Sequence, residues 1–207
     1  MIHFMKQGKN IFRPIAFAVS AVCIVLTMLD CPRHGELFSY FTIQSNVMCL
    51  ILMFWKLRKE PPAIFQGLAT VCITLTFLVY HIMLRPAGFT IANMGNLKNI
   101  SNLFAHYLVP ACVWIDYLLF TPKGGMKVYY PLAWICYPLL YLAYIKLIYR
   151  PMGGTFIVEG ELSSVPYFFL DTEVLGIGGV ALWCVAIAAV ILLLSYLFLL
   201  LDKLLSR

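Results

Sequence analysis

Charged residues are scarce in this chain. Asp, Glu, Lys and Arg make up 12% of its 207 residues, whereas apolar residues make up 62%. Soluble domains carry about twice that share of charge and only about 45–50% apolar residues. A soluble fold would therefore lack the polar surface that water requires. Each membrane crossing takes roughly 20 apolar residues, so this length has room for about six or seven crossings and none for an added soluble domain.

Paired cysteine motifs are also missing. Six of the seven cysteines lie inside apolar stretches, which leaves Cys31 as the one loop cysteine. Neither a Cys-x-x-Cys pattern nor a Cys/His spacing typical of zinc sites occurs, so we predict no metal and no cofactor. The basic N-terminus is followed by an apolar stretch without a small-residue cleavage site, which favours a signal anchor over a cleaved signal peptide.

Six apolar stretches predict one all-α domain over residues 1–207, a polytopic bundle of six transmembrane helices. Proline and glycine, such as Pro61-Pro62 and Gly124-Gly125, separate the stretches. The long continuous runs exclude a barrel, whose strands would alternate in polarity. The predicted spans cover residues of about 13–29, 38–55, 64–84, 100–120, 130–149 and 174–201.

The net charge of +6 is explained by membrane topology, and we predict no nucleic-acid partner. With the N-terminus inside, ten Lys and Arg residues flank the spans on one side and five on the other. Basic residues accumulate on the cytoplasmic side of membrane proteins. We therefore expect a multi-pass protein of the cell membrane with both termini in the cytoplasm.

Polar side chains cluster at the start of the second stretch, where Thr42, Ser45 and Asn46 share one helical face. Polar groups at membrane depth cost free energy, so they usually face the interior of a bundle. The predicted topology puts Thr42 about four residues, or ~6 Å, below the outer surface.

Histidines of the next two stretches reach the same layer. By the same count, His81 lies about 5 Å and His106 about 9 Å from the outer ends of their stretches, and Asn102 precedes His106 by one turn. A hydroxyl and an imidazole at one depth can form a nucleophile–base pair, for which Thr42 and His106 are the candidates. Ser45, Asn46, His81, Asn102 and Tyr141 are candidates to support the pair or to stabilise an oxyanion.

Ordinary packing is a second interpretation of the same residues. Hydroxyl and amide side chains in membrane helices commonly bond a backbone carbonyl or a neighbouring helix, and this favours a packing role for Ser45 and Asn46. A metal site built on His81 and His106 would need a third ligand at suitable depth, which the sequence does not provide.

The last outer connection, residues 150–173, contains the apolar patch Tyr167-Phe168-Phe169-Leu170 followed by Asp171. The patch is either a lid that contacts substrate, with Tyr167, Phe168 and Asp171 as candidates, or an aromatic anchor in the membrane interface. Asp116 lies ten residues, or ~15 Å, beyond His106, which is too far to orient its ring. We expect Asp116 to pair near the inner surface with Arg, Lys or a backbone group.

Four short motifs follow one another between Phe38 and Asp171. They are Phe41-Thr42-x-x-Ser45-Asn46, His106-x-x-x-Pro110 with Asp116-Tyr117, Tyr137-Pro138, and the segment from Pro166 to Asp171. In this order they resemble the motifs of bacterial six-span membrane proteins related to the androgen-induced transmembrane hydrolases, and the resemblance covers most of the chain. The resemblance implies an intramembrane threonine hydrolase, because a Thr–His pair in the animal members cleaves fatty acid esters of hydroxy fatty acids. Carried over, that pair falls on Thr42 and His106.

The leading hypothesis is therefore a hydrolase of lipid carboxylic esters, with membrane lipids or lipid esters as its partners. The alternative is a non-enzymatic scaffold, a lipid-binding protein or a small transporter. A transporter would need polar residues across the whole bilayer, whereas the polar residues here gather in the outer third.

Overall fold

The computed structural model of the chain describes residues 2–31, 33–85, 95–158 and 161–206. Helices dominate these residues, as the apolar stretches predict, and a two-stranded hairpin departs from the predicted all-α fold. The described elements are α1 Ile2–Asp30, α2 His34–Leu37, α3 Phe41–Lys56, α4 Ala63–Val79, α5 Leu97–Leu103, α6 Val109–Leu119, α7 Tyr130–Trp134, α8 Cys136–Tyr144, β1 Phe156–Val158, β2 Glu161–Ser163 and α9 Thr172–Leu204. Short π-helical turns extend α4 at Tyr80–Leu84, join α5 to α6 at Phe104–Leu108 and extend α8 at Ile145–Tyr149, and a 3-10 turn covers Phe168–Leu170.

Six helical segments lie where the sequence predicts them. Among the described residues, five are long and apolar enough to cross a membrane: Gln7–Asp30, Ala63–Leu84, Leu97–Leu119, Tyr130–Tyr149 and Thr172–Leu204. The remaining segment, α3, has 16 residues and is about 24 Å long at 1.5 Å per residue. Because the hydrocarbon core is ~30 Å thick, a sixth crossing stays a prediction.

Prolines interrupt the helices beside the cavity described below. Pro110 lacks the N–H that would bond the carbonyl of His106, and the preceding turn, Phe104–Leu108, is π-helical. Pro138 likewise cannot bond the carbonyl of Trp134, and the helix is broken at Ile135 between α7 and α8. Single π-turns occur frequently at functional sites, and His106 lies in one.

Helix α4 lies at the centre of the bundle, packed against α3, α6, α7 and α9. Gly67 permits its closest approach, because a Cβ at this position would lie 2.0 Å from Cζ2 of Trp134. The Trp134 indole N–H donates to the carbonyl of Ile64 at 2.8 Å. Small residues allow membrane helices to pack this closely.

The bundle has two distinct ends. At one end, β1 and β2 pair in antiparallel register, Phe156 opposite Ser163, and the buried Phe156 ring packs against Tyr40 and Tyr149. We call this the hairpin end. The other end, which holds Asp116, is called the Asp116 end.

Candidate functional site

A cavity of about 100 Å³ lies among the helices below the hairpin end. Nineteen residues line it, from α3, α4 and the π-turn after it, the π-turn before α6, the break between α7 and α8, α8, the loop before α9 and α9 itself. Most of them are apolar, and this mixture of an apolar wall with a few polar groups is typical of small-molecule sites. Five of the lining residues carry a hydroxyl or an imidazole: Thr42, Thr76, His106, Tyr141 and Tyr167.

Thr42 lies half-buried on the cavity wall in the first turn of α3. This helix begins at Phe41, after the extended residue Tyr40, which provides no side-chain cap. The first amides of a helix have no partner within the helix. In this protein the Tyr167 hydroxyl lies close to the backbone N–H groups of Phe41 and Thr42.

His106 lies buried on the same cavity wall, in the π-turn of the fourth segment. Its ring stacks on the Tyr80 ring with centroids 3.8 Å apart and an angle of 9° between the planes. The Thr76 backbone carbonyl lies beside the ring as a hydrogen-bond acceptor. The Nδ1 atom is buried and has no hydrogen-bond partner among the described residues.

Tyr167 closes the cavity from the loop before α9. Its hydroxyl lies at the start of α3, beside the Thr42 and Tyr141 side chains. Burial raises the pKa of the Tyr167 phenol, although nearby hydroxyl and amide groups oppose the rise. The phenol is therefore neutral at physiological pH, and its oxygen lies where the first amides of α3 converge.

The structure thus brings Thr42 and His106 to one cavity from segments more than sixty residues apart in the sequence. The two side chains are not hydrogen-bonded through Nδ1, since this atom has no partner in the described part of the chain. Instead, the Thr42 side chain lies beside the Tyr167 hydroxyl.

Ser45 and Asn46 lie fully buried behind Thr42 rather than on the cavity wall. The Asn46 amide donates to the carbonyl of Thr42 at 2.8 Å and to that of Ala105 at 3.2 Å. Its oxygen accepts from the Cys23 thiol at 3.5 Å. Asn46 therefore ties α3 to α1 and to the segment that carries His106, which corresponds to the packing interpretation.

His81 and Asn102 also lie outside the cavity lining. His81 is exposed, stacks on Phe77 with centroids 5.5 Å apart, and contacts the Tyr107 hydroxyl through Nδ1 at 3.1 Å. Asn102 is half-buried in α5, one turn before His106. Neither residue is placed to touch a molecule in the cavity.

The remaining candidates lie around Tyr167. Tyr141 lines the cavity and donates from its hydroxyl to the carbonyl of Ser39 at 3.0 Å. Phe168 is exposed and contacts Trp183 edge-on, with centroids 5.9 Å apart. Asp171 caps α9 by accepting from the N–H of Glu173 at 2.8 Å. Asp171 therefore has a structural partner outside the cavity.

Asp116 belongs to a separate buried ion-pair network at the other end of the bundle. It accepts from Arg13 Nε at 2.7 Å, from Lys56 Nζ and from the Thr121 hydroxyl at 3.0 Å. Arg13 continues the network to Glu60, with Nη1 and Oε1 2.7 Å apart. The predicted pairing of Asp116 with Arg and Lys is confirmed.

Sequence reasoning missed two sets of polar groups on the cavity. Thr76 lines it with a buried hydroxyl that has no partner among the described residues. The free amides of Phe41 and Thr42 were missed because the second span was predicted to start at residue 38, three residues before α3 begins. The clue was Ser39-Tyr40, since a polar residue often marks a helix start.

The cavity unites a hydroxyl, an imidazole with an open nitrogen, and two backbone amides at a helix N-terminus. A hydroxyl and an imidazole are the components of nucleophilic acyl transfer, and paired amides are typical oxyanion donors. Within the described ranges, no group of three or more His, Cys, Asp or Glu side chains is placed to hold a metal ion.

The fold is that of a helical protein with several helices long and apolar enough to cross a membrane. No protein-family model, curated protein or solved structure matches the chain. The resemblance to the threonine hydrolases therefore stays a prediction, and the function is argued from the cavity alone.

Proposed function

We propose that this protein is an intramembrane hydrolase of lipid carboxylic esters, with Thr42 as nucleophile and His106 as general base. One observation carries the proposal: Thr42 and a buried His106 with an unpartnered Nδ1 line the same apolar cavity. An unpaired buried nitrogen costs free energy, and such groups persist in native proteins where a ligand or reaction uses them.

The first half of the reaction transfers the acyl group to the protein. The Thr42 oxygen attacks the ester carbonyl carbon while its proton passes to Nδ1 of His106. The bond from this carbon to the alcohol oxygen then breaks, and the proton on Nδ1 goes to the leaving oxygen. The free alcohol departs, and the acyl group remains as an ester on Thr42.

Water completes the cycle. His106 takes a proton from a water molecule as that water attacks the acyl-threonine, and the proton returns to the Thr42 oxygen as the carboxylic acid leaves. The carbonyl oxygen becomes negative in both halves, and the backbone N–H groups of Phe41 and Thr42 are its donors. In this structure the Tyr167 hydroxyl lies beside those N–H groups, so the loop must withdraw before the ester can take its place.

The proposed orientation puts the hairpin end at the outer face of the cell membrane and both termini in the cytoplasm, with α3 as the sixth crossing. The excess of Lys and Arg at the Asp116 end supports this orientation through the positive-inside rule. The ester would then lie just below the headgroups of the outer leaflet.

A lipid-binding protein without catalysis is the second candidate. It is favoured by the position of the Thr42 side chain, which lies beside the Tyr167 hydroxyl and is not bonded to Nδ1 of His106. Such a protein would use the same cavity to hold an acyl chain, and substitution of Thr42 would leave binding intact.

The test is labelling of the purified protein with a fluorophosphonate probe, followed by incubation with a panel of lipid esters that includes a fatty acid ester of a hydroxy fatty acid. We expect Thr42→Ala to abolish labelling and hydrolysis, because it removes the nucleophile. His106→Ala should lower the hydrolysis rate by about 10²–10⁴-fold, the usual contribution of a general base.

Thr27→Ala is the matched control, since the Thr27 hydroxyl donates to its own helix, to the Cys23 carbonyl at 2.7 Å, away from the cavity. This variant should keep full labelling. Labelling of the Thr42→Ala variant at the level of the parent protein would overturn the mechanism and favour the lipid-binding protein.

A further inference from the structure

A second apolar space of about 140 Å³ adjoins the cavity at the seam between α4 and α9. Nine residues line it, within residues 75–83 of the third segment and 183–190 of α9, and every one of them is apolar. The seam opens to the outside of the bundle, where Ile82 is 74% exposed. In a membrane, this surface faces lipid chains.

Three side chains separate this space from the cavity, because Leu75, Val79 and Ile187 line both. Leu75 is buried, whereas Val79 and Ile187 are half-buried. The wall between the lipid-facing space and the cavity that holds Thr42 and His106 is therefore one side chain thick.

The cavity alone is too small for a lipid. Its volume of about 100 Å³ compares with the ~300–1,000 Å³ of pockets that enclose a drug-sized ligand. An ester bound beside Thr42 must therefore extend its chain out of the cavity. The adjoining seam shares three lining side chains with the cavity and is wholly apolar, as an acyl chain requires.

Both helices that form the seam lose regular α-helical geometry near the hairpin end. The third segment is π-helical at Tyr80–Leu84, and Gly176 of α9 has non-helical dihedrals, φ 64° and ψ 172°. Trp183, which lines the seam, also contacts Phe168 and Phe169 of the loop that carries Tyr167. A change at the seam is thus transmitted by direct contact to the loop over the cavity.

We infer that the seam between α4 and α9 is the lateral entrance of the cavity, through which the acyl chain of a lipid ester passes from the membrane. Leu75, Val79 and Ile187 form its gate. This inference rests on the proposed function for the identity of the ligand, but passage of the chain requires no turnover.

The test uses the Thr42→Ala variant in phosphatidylcholine nanodiscs, so that acyl transfer plays no part. The probe is a fatty acid ester of a hydroxy fatty acid with a diazirine on its acyl chain, and adducts are mapped by mass spectrometry after irradiation. We expect adducts on residues 75–83 and 183–190 and, inside the cavity, on residues 135–142.

Adding Ile187→Trp should lower the cavity adducts by about tenfold, since a larger side chain overpacks the gate, and Ile187→Ala should raise them. Leu193→Trp is the matched control, because Leu193 is 61% exposed on α9 and lines neither space. Gel filtration and thermal unfolding check that each variant is folded.

Cavity adducts unchanged by both Ile187 substitutions would overturn the entrance, and so would adducts spread evenly over the exposed face of α9. Crosslinks between two protein chains at the seam would assign it to a dimer contact instead. If the parent protein does not hydrolyse the ester while the cavity adducts still change with the Ile187 substitutions, the proposed function fails and the entrance stands.

Discussion

The Asp116 network and the cavity both bury polar groups but satisfy them differently. In the Asp116 network, both carboxylate oxygens of Asp116 accept hydrogen bonds, from Arg13, Lys56 and Thr121. At the cavity, Nδ1 of His106 and the Thr76 hydroxyl have no partner among the described residues. Saturated networks fix helices in place, whereas an open donor or acceptor is available to a ligand. The contrast assigns stability to the Asp116 network and chemistry to the cavity.

The largest effect on stability is expected from Asp116→Asn. This change keeps the side-chain volume but leaves the buried Arg13 and Lys56 cations without their shared anion. Breaking a buried pair costs about 3–5 kcal/mol. The free energy of unfolding, measured in detergent with a denaturant series, should fall by that amount.

Glu173→Gln is the control for this loss, because Glu173 pairs with Arg150 at 3.4 Å through a side chain that is 78% exposed. Exposed pairs contribute about 0–1 kcal/mol, so this variant should unfold almost like the parent. Equal stability of the Asp116 and Glu173 variants would contradict the contrast between the Asp116 network and the cavity.

A smaller difference in stability is expected between valine substitutions of two threonines in α4. The Thr74 hydroxyl accepts from the Trp114 indole at 2.8 Å and donates to the Thr70 carbonyl at 2.6 Å, whereas the Thr76 hydroxyl has no partner in the described structure. Thr74→Val should cost about 1–3 kcal/mol because the half-buried indole loses its acceptor. Thr76→Val should stay within about 0.5 kcal/mol of the parent.

Thermal unfolding of both variants in the same buffer and detergent measures the two losses of stability side by side. A loss as large for Thr76→Val as for Thr74→Val would mean that the Thr76 hydroxyl is tied into the packing. The Thr76 hydroxyl would then have a structural role, like the Asp116 network, rather than a role in the cavity.

The helices could be predicted from the sequence because long apolar runs and the prolines between them act locally. The pairing of Asp116 could be predicted because a lone carboxylate at membrane depth requires a cation. The depth count also selected Thr42 and His106, which line one cavity. These features depend only on the position of a residue along its span. Predicting them does not require knowing which helix faces pack against each other.

The sequence did not indicate which polar side chains would lack partners. Thr74 and Thr76 are two residues apart in the same helix, yet the Thr74 hydroxyl bonds Trp114 and the Thr70 carbonyl, whereas the Thr76 hydroxyl has no partner among the described residues. His81 lies at nearly the predicted depth of His106 but points to the outside of the bundle. Helix rotation and the start of α3 at Phe41 follow from tertiary packing, which a single sequence does not specify.

Tyr167→Phe tests what occupies the oxyanion position at the hairpin end. The phenol oxygen lies beside the N–H groups of Phe41 and Thr42, so an ester must displace it. Each hydrogen bond is worth about 0.5–1.5 kcal/mol net. Removing the hydroxyl should therefore raise kcat/KM for a lipid ester about fivefold, where 1.4 kcal/mol corresponds to tenfold. A fall of about 10²-fold would instead make the Tyr167 hydroxyl an oxyanion donor.

The smallest effect concerns the edge of the Asp116 network. Burial works against the charge of Glu60, but hydrogen bonds from Arg13 and Lys9 outweigh it and hold the pKa of Glu60 below its ordinary value of 4.5. Since the folded state binds this proton less readily than the unfolded chain, the ion pairs stabilise the fold above pH 4.5 and lose this contribution as pH falls through the lower folded pKa. Thermal unfolding scans from pH 7 to about pH 3 should therefore show a steeper loss for the parent than for Glu60→Gln, by about 1 kcal/mol or less. If the unfolding temperatures of the parent and of Glu60→Gln fall in parallel as pH is lowered, Glu60 adds no stability. The stabilising part of the network would then end at Asp116.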